Sequence, residues 1–239
     1  MTSPRTLAVL ATYNEIETLP DLVDEIHRVL PAADVLVIDD NSPDGTGNWC
    51  DERAAVEPRL HCLHRAGKLG LGSATIAGMN WALERSYEVV ITMDADWSHD
   101  PSHLPELLRA TEATDVAIGS RYCAGGAIEG WSLSRRVMSR WMNRLSRLML
   151  RLPVRDSSGA FRAYRASALR KIDLATIHAT GYSYLEEILW QLHRAGATFA
   201  EVPITFHERR AGTSKISFAE AAAKLSTLFR LACFPPRRR

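Results

Sequence analysis

Apolar positions in the first half of the chain fall into short continuous runs, each followed by helical spacing. Residues 6–11 form a β-branched apolar run, after which Leu19, Leu22, Val23, Ile26 and Leu30 recur at the three-and-four spacing of one helix face. This reads as strand, loop, helix. Residues 35–38 make a second apolar strand, closed by the turn-rich Asp39-Asp40-Asn41-Ser42-Pro43-Asp44-Gly45. Residues 60–63 lead into a loop containing Gly67, Gly70 and Gly72 and a helix through Met79 and Leu83, and residues 89–93 lead into an acidic turn and a helix beginning near Ser102. Short apolar strands alternating with helices predict a parallel sheet covered on both faces.

Beyond a strand at 116–118 the order changes. The spacing predicts a long helix over 132–151, a short strand over 160–164, a helix over 184–194, strands within 199–206 and a terminal helix from Ser217 towards Cys233. The Pro-Pro-Arg-Arg-Arg ending reads as a frayed tail. With no internal repeat or low-complexity linker, this is one domain with a modified carboxy-terminal half. On a wheel of about 100° per residue, Arg136, Arg140, Arg144, Arg147 and Arg151 share one sector of the 132–151 helix. Val137, Met138, Trp141, Leu145, Leu148, Met149 and Leu152 fill the next. An arginine stripe beside an apolar one describes a helix lying on an anionic membrane surface, or an amphipathic helix packed on the sheet.

Composition narrows the class. At 239 residues with 46% hydrophobic and 24% charged, the chain is neither disordered, collagenous nor a disulfide scaffold. Its apolar runs fall far short of the roughly 20 residues a membrane-spanning helix needs. The amino terminus lacks the basic flank and apolar core of a signal peptide, so the expected location is the cytoplasm. The four cysteines are scattered without metal-ligand or redox spacing. Net charge is +1, but residues 1–130 hold 9 basic against 21 acidic side chains and residues 131–239 hold 20 against 7. A basic half suggests an anionic partner and an acidic half a cation or neutral polar ligand. Nucleic acid fits poorly, because the arginines are not interleaved with a base-stacking surface.

In an open parallel sheet, ligands bind outside the carboxyl ends of the strands. Three unusual clusters fall at such ends: Tyr13 to Glu15, Asp39-Asp40, and Asp94-Ala95-Asp96. Alternating carboxylates there suit a hard divalent cation bridging to a nucleotide diphosphate, although aspartates in such places also cap turns and helices. Asp39 to Ser42 reads either as an Asx-turn or as acceptors for a nucleoside. The 67–72 glycine loop lacks the spacing of a P-loop or a dinucleotide fingerprint. Residues 206–215, with Arg209, Arg210 and Lys215 after a strand, form a cationic segment suited to closing over phosphates, or a solvated loop. His178, His193 and His207 stand at no metal-binding spacing and read as structural.

Taken in order, Ala11-Thr12-Tyr13-Asn14-Glu15, Val37 to Thr46, Met93-Asp94-Ala95-Asp96-Trp97-Ser98-His99, Gly119-Ser120-Arg121-Tyr122, Ser158-Gly159-Ala160-Phe161-Arg162 and Arg209 to Lys215 resemble the family 2 glycosyltransferases. Within these the chain is most similar to the dolichol-phosphate and polyprenol-phosphate mannosyltransferase group. The resemblance implies a GT-A, Rossmann-like α/β fold with helices on both faces, and Mg²⁺ or Mn²⁺. It implies GDP-mannose as donor and a polyprenyl or dolichyl phosphate as acceptor. It places Ala11, Tyr13, Glu15, Ile38 and Asp40 at the nucleoside, and Asp94, Ala95 and Asp96 at the diphosphate and metal with Ser98 beside them. Asp96, Arg121, Arg209 and Lys215 would act in catalysis, the three cations contacting phosphates, with Arg121, Arg135 and Ser139 at the lipid phosphate. Ala11 stands where the family commonly has proline, and Ser98 where some members use a longer amide.

On this reading residues 1–216 form the catalytic domain, with a nucleotide-sugar and metal half (1–130) and an acceptor half (131–216) carrying the 132–151 helix. Residues 217–239 are a terminal helix and basic tail. Contact with the cytoplasmic face of a membrane would be peripheral or through an anchoring partner protein. A transferase using UDP-glucose or another donor, and a sugar-nucleotide-binding module without catalysis, are the alternatives.

Overall fold

The computed structural model describes residues 4–177, 179, 181–208 and 218–233. In chain order the elements are β1 (Thr6–Thr12), α1 (Leu19–Val29), β2 (Asp34–Asp39), α2 (Thr46–Ala54), β3 (Leu60–His64), α3 (Leu71–Glu84), β4 (Val89–Asp94) and α4 (Leu104–Ala110). There follow β5 (Val116–Ser120), β6 (Ala127–Ile128), α5 (Leu133–Leu150), β7 (Arg162–Arg165), α6 (Ala166–Leu169), α7 (Tyr184–Arg194), β8 (Phe199–Pro203), β9 (Thr205–Phe206) and α8 (Phe218–Cys233). Seven strands form one sheet in the order β3-β2-β1-β4-β7-β5-β8, and β6 pairs with β9 beside it.

The sheet is parallel except for β7, which runs antiparallel to both β4 and β5. The predicted short strand at 160–164 is therefore an insertion that separates two halves of the parallel sheet. The predicted run at 199–206 is divided by Ile204, which is buried, into β8 of the main sheet and β9 of the small one. The apolar runs explain why the strands are central. Leu7 and Val9 of β1 enter one core cluster while Ala8 and Leu10 enter the other, all at 1% exposure or less. One cluster takes Met79 and Ala82 of α3 and Ile188, Leu189 and Leu192 of α7; the other takes Leu22, Val23 and Ile26 of α1 and Leu104 of α4. Helices thus cover both faces, as the run lengths predicted. Helix α3 comes unusually close, since a Cβ on Gly78 would sit 2.5 Å from Val9 Cγ1 and 2.6 Å from Ile38 Cδ1.

Helix α5 matches its predicted span to within a residue at each end. Ser132 caps it by accepting from the main-chain N–H of Arg135, and Arg151 ends it at a positive φ of 54°. The face it presents inward was not predicted. Met142, Asn143, Ser146 and Leu150 are buried, and Leu145, Met149 and Leu152 pack into the core, whereas Leu133, Val137, Met138, Trp141 and Leu148 are exposed by 54 to 77%. The apolar stripe is thus split between the core and solvent. Beside α5, helix α8 leaves Leu225 and Phe229 exposed. No described helix is long and apolar enough to cross a membrane.

Candidate active site

The carboxyl ends of three adjacent parallel strands, β2, β1 and β4, bring their loops side by side. The turn after β4 begins with Asp94, partly exposed, and continues through buried Asp96, whose Oδ1 accepts from the main-chain N–H of Ser98 at 3.0 Å. Trp97 between them holds a positive φ of 63°, a left-handed conformation costly for a large side chain. Its indole N–H donates to the carbonyl of Thr18, and Thr18 Oγ1 donates to the carbonyl of Ala95. The start of α1 therefore clamps the turn in its strained shape. His99 closes it from the other side, fully buried and stacked on Phe161 at 5.1 Å. Burial lowers its pKa to about 4, so the ring is neutral and its Nδ1 accepts from the main-chain N–H of Asp94. The main-chain N–H of His207, just past β9, donates to the carbonyl of Ser98, so the described chain reaches Glu208 beside this turn.

The Ser98 hydroxyl is buried and, among the described residues, has no hydrogen-bond partner. A buried hydroxyl without a partner costs free energy comparable to a lost hydrogen bond. Here it lies in the same turn as two carboxylates, an all-oxygen donor set that fits a hard divalent cation.

The loops after β1 and β2 are laced together. Ser42 Oγ accepts from the main-chain N–H of Asn14, Thr46 Oγ1 from that of Glu15, and Asp44 Oδ2 from that of Ile16. Burial works to raise the Asp44 pKa, but hydrogen bonds from the Thr46 hydroxyl and from main-chain N–H groups, including Ile16, outweigh it and hold the carboxyl below its ordinary value. Asn14 and Asn41 both take positive φ, which asparagine tolerates best after glycine.

Asp40 pegs the glycine loop: its Oδ2 accepts from the main-chain N–H groups of Leu69 (3.0 Å) and Gly70 (3.3 Å), and its Oδ1 pairs with Arg65 at 2.9 Å. The loop brings Lys68 Nζ to 4.1 Å from the centre of the Tyr13 ring. Tyr13, Glu15, Asp40 and the glycine loop therefore share one rim, as the strand-end argument required. Ile38 buries its side chain in the core against α3, and its main-chain carbonyl accepts from Thr12 Oγ1 at 3.1 Å. Ala11 is half-buried on the register row that pairs it with both Ile38 and Asp94.

A second polar centre lies past the end of β5. Arg121, 7% exposed, donates from Nε to Asp156 Oδ2 at 2.7 Å and from Nη2 to Asp156 Oδ1 at 2.8 Å, and Nη2 also reaches Ser158 Oγ. Its guanidinium lies 5.7 and 5.3 Å from the ring centres of Trp131 and Phe206. Arg121 was expected as a phosphate ligand; two of its three guanidinium nitrogens are committed to a buried carboxylate. Burial would lower its pKa, and the charge of Asp156 outweighs that and raises it, so Arg121 is a fixed cation. Asn143 of α5 donates to Ser158 Oγ and accepts from the main-chain N–H and hydroxyl of Ser157, which explains the polar residue on the helix's buried face.

Ser139 Oγ accepts from the Tyr122 hydroxyl at 2.6 Å, and Arg135 donates to Glu208 while lying 4.0 Å over the Trp131 ring. The predicted Arg209 and Lys215 lie outside the described residues. Asp156, His99, Glu208 and Asn143 were missed as site residues. Only His99 carried a local signal, its place directly after the acidic turn.

Residues 8–173 match the family described as Glycosyl transferase family 2. The chain is 49% identical over 214 residues to an undecaprenyl-phosphate mannosyltransferase from Micrococcus luteus, covering 89% of this chain and 88% of that one. It is 46% identical over 215 residues to a polyprenol monophosphomannose synthase from Mycolicibacterium smegmatis, covering 89% and 81%. Among solved structures, glucosyl-3-phosphoglycerate synthase from Mycobacterium tuberculosis with Mn²⁺ and UDP superposes at a TM-score of 0.69, with 19% identity, over 98% of this chain and 81% of that one. A mannosyltransferase from Pyrobaculum calidifontis with GDP-mannose and Mn²⁺ gives 0.62, with 18% identity, over 100% and 67%. These likenesses establish that the fold is the GT-A one.

Proposed function

The chain belongs to glycosyl transferase family 2, and from that premise we propose that it transfers mannose from GDP-mannose to a polyprenyl or dolichyl phosphate with Mg²⁺ or Mn²⁺. Two close relatives, matched over 88% and 81% of their own length, carry names of polyprenyl-phosphate mannose transfer. The observation that carries the chemical reading is the clamped Asp94 to His99 turn, with its two carboxylates and the buried Ser98 hydroxyl.

Asp94, Asp96 and Ser98 would hold the cation, which when bound supplies positive charge against the diphosphate of the departing GDP. Tyr13, Glu15 and Asp40 would orient the nucleoside from the rim that Asp40 fixes by pegging the glycine loop. The acceptor is a phosphate monoester with a second pKa of about 6. Near neutral pH its oxygen is already an anion, so the site needs no strong general base. What it must do is hold two anions in line despite their repulsion. Arg121, Arg209 and Lys215 are assigned that work, with Arg135 and Ser139 towards the lipid phosphate. Direct displacement at an α-linked donor gives a β-linked mannosyl lipid.

The acceptor's chain is insoluble in water, and the exposed apolar side of α5 with Leu225 and Phe229 of α8 offers it a surface. We assign this face to the headgroup boundary on the cytoplasmic side of a membrane, where nucleotide sugars are available, with or without an anchoring partner protein. The deciding experiment measures GDP release from GDP-mannose with and without polyprenyl phosphate, with UDP-glucose in parallel. Release that requires the lipid and GDP-mannose supports the assignment. Release from UDP-glucose alone replaces the donor, and no release from either with bound nucleotide indicates a binding module.

A further inference from the structure

Beside the Arg121–Asp156 pair, and lined by no residue of the acidic turn, lies a cavity of about 770 Å³ between α5 and the segments that follow β5 and α5. Arg140, Arg144 and Arg147 of α5 line it together with Arg151 at the helix end, Arg155 beyond it and Arg121 itself. Asp156 takes two of the three guanidinium nitrogens of Arg121. Among the described residues the other five have no ion pair and no hydrogen bond from the guanidinium, and Glu201 takes the main-chain N–H of Arg155 rather than its side chain. The negative end of the α5 dipole favours Arg147 and Arg151. It does not account for Arg140, a turn and more earlier, or for Arg155, which stands on a different segment. Like charges at helical spacing of three and four destabilise the helix that carries them, and here they converge on one concavity.

We propose that this cavity is a binding site for a phosphate group, separate from the donor loops and from the acceptor-phosphate position at Arg135 and Ser139, neither of which lines it. Several planar guanidinium forks around one space match the oxygens of a phosphate, and an anion seated there removes the mutual repulsion of its walls. Two sources present this chemistry: the headgroup of an anionic phospholipid, and a soluble phosphate or diphosphate. Leu148, exposed at the cavity and continuous with Val137 and Trp141 on the helix surface, would give a phospholipid's tails an apolar path. Capture of a phosphate in this cavity requires no turnover and does not depend on which sugar is transferred.

Binding is measured on the full chain in EDTA, where no divalent cation bridges an anion to the carboxylates of the acidic turn, and the cavity's share of the capture is read from the variants. The probes are inorganic diphosphate by calorimetry, and flotation with vesicles of phosphatidylcholine containing one part in five phosphatidylglycerol against phosphatidylcholine alone. Arg144→Gln/Arg147→Gln should weaken capture about tenfold or more. Arg136→Gln, which removes the same charge from the same helix but does not line the cavity, should change it less than twofold. Circular dichroism and the melting temperature verify that each variant folds. Diphosphate binding alone supports a soluble ligand, preference for the phosphatidylglycerol vesicles supports a lipid headgroup, and either upholds the site. No capture of either probe overturns it, and so does an equal loss in Arg136→Gln, which would mean a diffuse field rather than a site.

Discussion

Asp156 grips Arg121 at the guanidinium and at the main chain, its Oδ2 accepting both Nε at 2.7 Å and the residue's own N–H at 3.0 Å. Both side chains are buried, and the carboxylate also accepts from the main-chain N–H of Gly159. The pair therefore joins the end of β5 to the turn that leads into β7, and sets where a fixed cation stands relative to the acidic turn.

Removing one partner of such a pair leaves an uncompensated buried charge. Asp156→Asn should cost about 3–5 kcal/mol of unfolding free energy by urea titration. Burial works to raise the Asp156 pKa, and Arg121 outweighs it and holds the carboxyl below its ordinary value. The linked stability is therefore complete above the unfolded carboxyl pKa of about 3.9 and is lost as pH falls through the lower native value. The acid limb of the wild-type stability curve should be steeper than that of Asp156→Asn. Equal stability of the two proteins at pH 7 would show that the pair carries no structural weight.

Asp96→Asn should lower mannosyl transfer on the order of a hundredfold or more. The melting temperature in EDTA should move little, because the substitution keeps an oxygen to accept from the Ser98 N–H. EDTA added to the wild type should reproduce the loss, and Mn²⁺ or Mg²⁺ should restore it. Full transfer under either treatment would remove the cation from the reading.

Arg209→Ala and Lys215→Ala should lower turnover by one to two powers of ten, roughly the effect of losing a charge-assisted contact made in the transition state. Thermal stability should stay within a few degrees. A collapse of the melting temperature with unchanged kcat would make the segment structural.

Trp141→Ser/Val137→Ser removes exposed apolar surface from α5 without touching its buried face. Vesicle binding and transfer to a long-chain polyprenyl phosphate should fall several-fold, because each fully buried large apolar side chain is worth about 1.5–3 kcal/mol. Transfer to a short, water-soluble acceptor should be spared. Equal losses with both acceptors would place these residues in the fold or the catalytic site.

Short-range pattern carried much of this molecule. Runs of apolar residues determined β1, β2, β4 and β5, helical spacing determined the bounds of α7 and nearly those of α5, and strand ends determined where the acidic and tyrosine clusters would meet. These features depend on neighbours a few residues apart, which a sequence displays directly. The tertiary structure alone decided the rest. Periodicity says that residues 162–165 are extended, but not that they slot antiparallel between β4 and β5, because pairing is settled by partners about 70 and 45 residues away. A helical wheel fixes which side chains of α5 share a face, but not which face turns inward; the hydrogen bonds of Asn143 to Ser157 and Ser158 settled that and left Trp141 in solvent. Arg121 could be read as a cation from its position, but its carboxylate lies 35 residues further on, and only folding brings a buried charge to the partner that makes its burial tolerable.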